Sequence, residues 1–148
     1  MTQEELNILN IDLCARLPYG VKIKYLPDDR LDGIVLPYLL NGLTVLQKGV
    51  ISRRAHIKNI RPYLRPMSSM TEEELKELND KYGNIAYFFI QEPPYYYGLQ
   101  AQHSDIGSIE ISGFSEIYDW LNTHHFDYRG LIEKELALEA PEDMYKND

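Results

Sequence analysis

The chain has 148 residues, 44% apolar and 26% charged, with one cysteine. It is long enough to bury roughly 70% of its extended surface, and its balance excludes the disordered and membrane-embedded classes. A net charge of −8 opposes a polyanion as its general partner, and the lone Cys14 excludes an internal disulfide.

The opening MTQEELNILN has no basic region followed by an apolar stretch, and no apolar run nears the roughly 20 residues a bilayer needs. With one thiol, these features lead to the expectation of a cytoplasmic protein with no membrane partner. Thr2 and Glu5 have the spacing of a capping box. A helix is expected from about Gln3 to Asn10, continuing towards Arg16, with Leu6, Leu9 and Leu13 on one face. Pro18 and Tyr19-Gly20 end it.

GVKIKYL (Gly20–Leu26) alternates Val21, Ile23 and Tyr25 with Lys22 and Lys24, the pattern of a strand with one buried face. GIVLPYLL (Gly33–Leu40) is a second strand, placed at an edge or bulge by Pro37. Asn41-Gly42 predicts a type I′ hairpin into LTVLQKGV (Leu43–Val50), and HIKNIRPYL (His56–Leu64) offers a fourth short strand. Together they predict a small antiparallel sheet or SH3-like partial barrel over about 20–64.

MSSMTEEELKELNDKYG repeats the capping box at Thr71 and Glu74, with Leu75 and Leu78 on the buried face and Gly83 as the stop. NIAYFFIQE, YYYGLQAQ and SIEIS (Ser108–Ser112) form a second region of short strands. EIYDWLNTHH is helical, with Ser115 as N-cap and Ile117, Trp120 and Leu121 on one face; a last short helix is expected around Gly130–Leu136, before a polar tail. The fold class is α+β, in a single domain, with 1–66 and 67–148 as candidate subdomains.

The charge divides near the same point. Residues 1–66 carry ten Lys/Arg and six Asp/Glu; residues 67–148 carry five and seventeen. No acidic residue lies between Asp32 and Glu72, where Lys48, Arg53, Arg54, Lys58, Arg61 and Arg65 fall. These are candidate phosphate contacts. The competing assignment is a solvated sheet edge, or a face turned to the acidic half of the same chain.

NTHHFDYRG gathers His124, His125, Asp127 and Arg129. Adjacent histidines on a helix point about 100° apart and converge poorly on a metal. The preferred assignment is a structural polar cluster: imidazoles near the free carbonyls at a helix end, Asp127 capping a next helix, and Arg129 holding a carboxylate. Cys14 is a formal nucleophile candidate, but beside Leu13 and Leu17 it fits a small buried apolar side chain. Tyr95, Tyr96 and Tyr97, after Pro93-Pro94, are candidate protein contacts, with an edge strand laid on the sheet as the alternative. There is no Walker loop, G-x-G-x-x-G, G-x-S-x-G or H-E-x-x-H.

Three blocks, DLCARLPYGVK (Asp12–Lys22), IRPYLRPMSSMTEEE (Ile60–Glu74) and DWLNTHHFDYRGLIEK (Asp119–Lys134), cover about 42 of the 148 residues. Together they resemble a family of short proteins from gut bacteria and their prophages and mobile elements. The family has no established activity, cofactor or catalytic residue, so the resemblance implies a shared scaffold and no chemistry. It also implies that glycine often stands where this chain has Glu135. The resulting expectation is a non-enzymatic binding or accessory protein, without cofactor or metal, that contacts another protein or itself. The runner-up is a nucleic-acid-binding small barrel using window 48–65, and an enzyme is third.

Overall fold

The structure is a computed structural model that describes residues 1–26, 33–36, 43–46, 52–55, 57–82 and 111–146, with side chains over 1–26, 57–81 and 116–146. The chain is α+β. It forms two compact units: Met1–Leu64 with Leu131–Asp148, and Arg65–Gly130. The composition shift near Pro66 therefore marks only the first crossing, because the chain after Gly130 belongs with the N-terminal unit.

In the first unit, helix α1 (Gln3–Arg16) starts on the expected capping box. The Glu5 N–H donates to Thr2 Oγ1 at 3.2 Å, and the Thr2 N–H donates to Glu5 Oε2 at 2.6 Å. The buried stripe is Leu9, Asp12, Leu13 and Arg16, with Leu6 half-buried. The expectation that Cys14 is buried is corrected: it lies on the opposite side and is exposed. A single 3₁₀ turn, Leu17–Tyr19, carries Pro18. Gly20, at φ 65°, then turns the chain through the left-handed region that glycine enters without strain.

Six strands follow: β1 (Lys22–Tyr25), β2 (Gly33–Leu36), β3 (Leu43–Leu46), β4 (Ser52–Ala55), β5 (Ile60–Leu64) and β6 (Leu138–Glu139). Their order is β4-β3-β2-β1-β5-β6. All neighbours are antiparallel except β5 and β6. The sheet is open among the described residues, with β4 and β6 at its edges, so it does not form an SH3-like closure there. β4, sequence SRRA, adds a strand that the expected set lacked. Asn41-Gly42, Pro37, Gly83 and most of the second short-strand region (84–110) lie outside the described residues.

The β1–β5 pair sets the two faces. Ile23, Ile60, Pro62 and Leu64 are buried, while Lys22, Lys24, Arg61 and Tyr63 are half-exposed. The buried side packs with Leu9, Leu13, Val21, Leu131, Leu136 and Ala137 in one core. Pro62 is tolerated inside this sheet for a specific reason. Antiparallel hydrogen bonds alternate, and the Leu26–Asn59 bond at 2.8 Å fixes the phase. In that phase the missing N–H of Pro62 points away from β1, and β6 pairing starts only at Tyr63↔Leu138.

The same alternation places Lys22 opposite Tyr63 as the next bonded pair. There a hydroxyl takes the place of the direct bond. Tyr145 Oη accepts from the Lys22 N–H at 3.1 Å and donates to the Tyr63 C=O at 2.8 Å. Lys22 Nζ donates to the Met144 C=O at 2.6 Å and lies 5.2 Å from the Tyr145 ring centroid. The segment that reads as a polar tail is thus pinned across two strands. Tyr145→Phe leaves both backbone groups without this relay and is expected to cost about 1–3 kcal/mol. Urea unfolding checks it; a change within about 0.5 kcal/mol, the range of ordinary surface substitutions, contradicts the relay.

The second unit holds α2 (Glu72–Tyr82) and α3 (Ile111–Thr123). Its core contains Met67, Leu78, Ile117, Trp120, Leu121, Phe126 and Tyr128. α3 starts at Ile111, which corrects two expectations. Ser115 lies inside the helix instead of capping it, and the end of SIEIS is helical. Serine and glycine in ISGFS weaken the local helix signal, but the buried face at Ile117, Trp120 and Leu121 fixes the helix further on.

Candidate functional site

The Asp119–Lys134 block contains the polar cluster, and the way α3 ends explains the layout. His125 has φ 61°. The Phe126 N–H donates to the Leu121 C=O at 3.0 Å, and the His125 N–H to the Asn122 C=O at 3.1 Å. This pair of bonds, six-to-one and five-to-two around a left-handed residue, is a Schellman motif. Phe126 and Leu121 supply its apolar contact, since both belong to the same core. Histidine is one of the few non-glycine residues that enters the left-handed region with any frequency.

His124 also serves the helix end. Its Nδ1 is 2.8 Å from the Trp120 carbonyl oxygen, and its ring stacks on Trp120 with centroids 3.9 Å apart. The two histidines therefore differ: the ring of one and the backbone of the other serve the helix end. His124 lies back along α3, and His125 reverses the chain.

After the reversal, Arg65 and Phe126 form a parallel bridge. The Arg65 N–H donates to the His125 C=O and the Asp127 N–H to the Arg65 C=O, both at 2.8 Å. Asp127 is buried but caps no following helix; it is succeeded by turns. Arg129 lies 4.5 Å from the Tyr128 ring centroid. The Tyr128 hydroxyl donates to Asn122 Oδ1 at 3.0 Å, and its ring is 5.2 Å from that of Tyr118. Burial raises the Tyr118 hydroxyl above its ordinary pKa, with Arg129 opposing.

A bidentate carboxylate clamp is made by Arg65. Its Nη1 and Nη2 bond both oxygens of Glu74 at 2.7 and 2.8 Å, and its guanidinium lies 4.2 Å from the Phe126 ring centroid. Glu74 also closes the expected box with Thr71. Burial pushes the Glu74 carboxyl up. The hydrogen bonds from Arg65 and Thr71 and the charges of Arg65 and His124 outweigh it, so the carboxyl lies below its usual value of 4.5. At the neighbouring turn of α2, the Trp120 Nε1–H donates to Glu77 Oε1 at 3.1 Å. That bond leads the effects that lower the Glu77 carboxyl.

A depressed folded-state pKa gives Glu74 a sign. Its stabilisation is complete above the unfolded-state value near 4.5 and is lost as pH falls through the lower folded-state value. Glu74→Gln should therefore flatten the acid limb of a melting-temperature profile. An unchanged slope below roughly pH 5 contradicts the assignment.

The last helix expected over Gly130–Leu136 is corrected to turns. The reason is a second Schellman motif. Glu135 has φ 57°, the Leu136 N–H donates to the Leu131 C=O at 2.9 Å, and the Glu135 N–H donates to the Ile132 C=O at 3.0 Å. Leu131 and Leu136 are its apolar pair. The segment thus closes after one turn, and glycine fits position 135 without strain.

The basic window divides. Lys48 lies outside the described residues, as do Tyr95, Tyr96 and Tyr97. Arg53 and Arg54 lie on β4, opposite Val45 and Thr44. Arg61 donates to the carbonyls of Lys58, Ile60 and Glu135 at 2.9–3.0 Å. Arg65 faces the acidic half through Glu74, and Lys58 is exposed.

Sequence reasoning missed one further group. Asp12 and Arg16 form a fully buried pair in α1, with Nε to Oδ2 at 2.8 Å and Nη2 to Oδ1 at 3.0 Å. The D-x-x-x-R spacing signals the pairing, but nothing in it signals burial. No cluster of three or more His, Cys, Asp or Glu able to hold a metal ion occurs among the described residues. None of their helices is long and apolar enough to cross a membrane. Comparison with protein families, characterised proteins and solved structures finds no match to this chain.

Proposed function

We propose that this chain is a non-enzymatic binding protein whose partner is another protein. One observation carries the reading: the His124 and Arg65 side chains, with the His125 backbone, are employed in holding the chain's own ends and turns. His124 lies on a helix carbonyl, the His125 backbone turns the chain, and Arg65 clamps Glu74. A reaction centre needs such groups aimed at a substrate instead. Tyr95, Tyr96 and Tyr97 are the aromatic part of the proposed contact.

The nucleic-acid reading is weaker because two of its six candidate contacts, Arg61 and Arg65, are bonded within the chain. The test is cross-linked capture by the intact protein in its host, followed by titration with the purified captured partner. Saturable binding to a protein supports the proposal. A nucleic-acid mobility shift at micromolar protein that weakens steeply with salt, without a protein partner, overturns it.

A further inference from the structure

We propose that residues 141–146 are a detachable strap seated in a tyrosine-accepting notch between β1 and β5, and that a tyrosine-bearing segment of the protein partner takes the strap's place. The inference rests on the protein-binding reading and gives that partner a chemistry and its site a gate.

The notch is built by the sheet. Ile23 lies opposite Pro62, so Lys22 and Tyr63 are the next pair across β1 and β5. The Lys22 N–H and the Tyr63 C=O both reach the Tyr145 hydroxyl, at 3.1 and 2.8 Å. A group seated there must accept one hydrogen bond and donate another. A phenol does both, whereas an ionised carboxylate only accepts. Beside it, the Lys22 ammonium holds the Met144 C=O at 2.6 Å and lies 5.2 Å from the Tyr145 ring centroid, within range of a cation over an aromatic face. Hydroxyl, ring and the carbonyl of the preceding residue together describe a tyrosine within a peptide.

The strap is able to leave without disturbing the core. The sheet holds the chain as far as Ala140, whose N–H donates to the Leu64 C=O at 2.7 Å. From Pro141 to Lys146 no residue is buried, and none belongs to either apolar core. The strap also carries bonds of its own. The Met144 N–H donates to the Pro141 C=O and the Lys146 N–H to the Asp143 C=O, and Lys146 Nζ pairs with Glu142 and Asp143. Undocking takes these along and withdraws no side chain from the core. Segments of this kind open locally, at a free energy well below that of global unfolding. While the strap is seated, the notch is open in only a fraction of the molecules, and a partner's affinity is reduced by that fraction.

Amide exchange and amide resonances of the intact protein test this. The Lys22 N–H should exchange at least about a hundredfold faster than that of Leu13, on the buried stripe of α1. Its rate should be nearly independent of dilute urea, because undocking exposes little surface, whereas the Leu13 rate follows the global slope. The probe of the notch is the peptide PEDMYK with blocked ends, titrated into full-length Tyr145→Phe. It should shift the Lys22 amide resonance saturably. The same peptide with phenylalanine in place of its tyrosine should bind at least about tenfold more weakly, and so should PEDMYK on wild type, whose own strap competes. A Lys22 rate with the urea slope of Leu13, no saturable shift, or equal binding of the two peptides overturns the inference. The exchange comparison uses wild type and decides whether or not the variant folds. A captured protein partner should bind Tyr145→Phe more tightly than wild type. One that binds the two equally removes the gate and leaves the protein-binding reading intact. Failure to capture any protein removes that reading, and the inference with it.

Discussion

Arg16→Ala should destabilise the protein by about 3–5 kcal/mol, the usual consequence of stranding a buried carboxylate. Asp12 and Arg16 are both fully buried, and their two hydrogen bonds lie within one turn of α1. Removing both ions from water is costly, and their attraction in the low-dielectric interior offsets that cost only while they remain paired. The single variant leaves the buried Asp12 carboxylate without its two hydrogen bonds from Arg16.

The loss is a large fraction of the roughly 5–15 kcal/mol that holds a domain of this kind together. A double replacement, Asp12→Leu with Arg16→Met, removes the desolvation cost on both sides. It should recover most of the loss or exceed wild type. Urea unfolding of the three proteins decides the matter. A single variant that loses less than about 1 kcal/mol indicates that the carboxylate reaches water.

Phe126→Ala is the second large effect, at about 3–5 kcal/mol. Phe126 is fully buried and lies between several structural devices. It is the apolar contact of the motif that ends α3, it stacks near-parallel on Trp120 at 5.9 Å, and Arg65 lies over its ring. Truncation opens a cavity and removes the surface on which the Arg65 guanidinium rests while bonding Glu74. Hydrogen exchange at the Asp127 N–H, which bonds the Arg65 carbonyl, should accelerate along with the fall in stability. Phe126→Leu, which keeps much of the volume, should lose markedly less. Equal losses in the two variants would indicate that cavity volume is not what the ring contributes.

Local chemistry was the legible part of this fold. Both capping boxes could be read directly, because Thr-x-x-Glu satisfies the free N–H groups of a helix start regardless of what surrounds it. The alternation in GVKIKYL was equally clear, since one face of β1 is buried and the other is wet. The failures share a physical cause: tertiary contacts overrode the local pattern. Asp12 and Arg16 carry no sequence signal of burial and are buried. SRRA carries no apolar alternation to announce a strand, yet it pairs as the edge strand β4. GLIEKEL has helix-forming composition, but the left-handed Glu135 closes it after one turn, a backbone state that no propensity announces for glutamate. The final segment reads as polar, yet one hydroxyl, that of Tyr145, spans Lys22 and Tyr63, more than eighty positions away in sequence.

The candidate cluster was legible as a helix end and not as a geometry. The adjacency of His124 and His125 argued against a shared metal, and their assignment to the end of a helix matched the sequence pattern. The difference between the two histidines depends on a positive φ at His125, which the sequence does not display. The Arg65–Glu74 clamp beside the cluster was not legible, because Arg65 lies about sixty residues before it in sequence.

The central structural claim is that His125 ends α3 through a left-handed backbone turn. The most direct measurement is the difference in melting temperature between His125→Gly and His125→Ala. Both remove the imidazole, so any difference between them reports the backbone conformation alone. A left-handed turn predicts that the glycine variant is more stable by about 1 kcal/mol, because alanine retains the Cβ that opposes this backbone conformation. Equal melting temperatures, or a more stable alanine variant, would contradict the account.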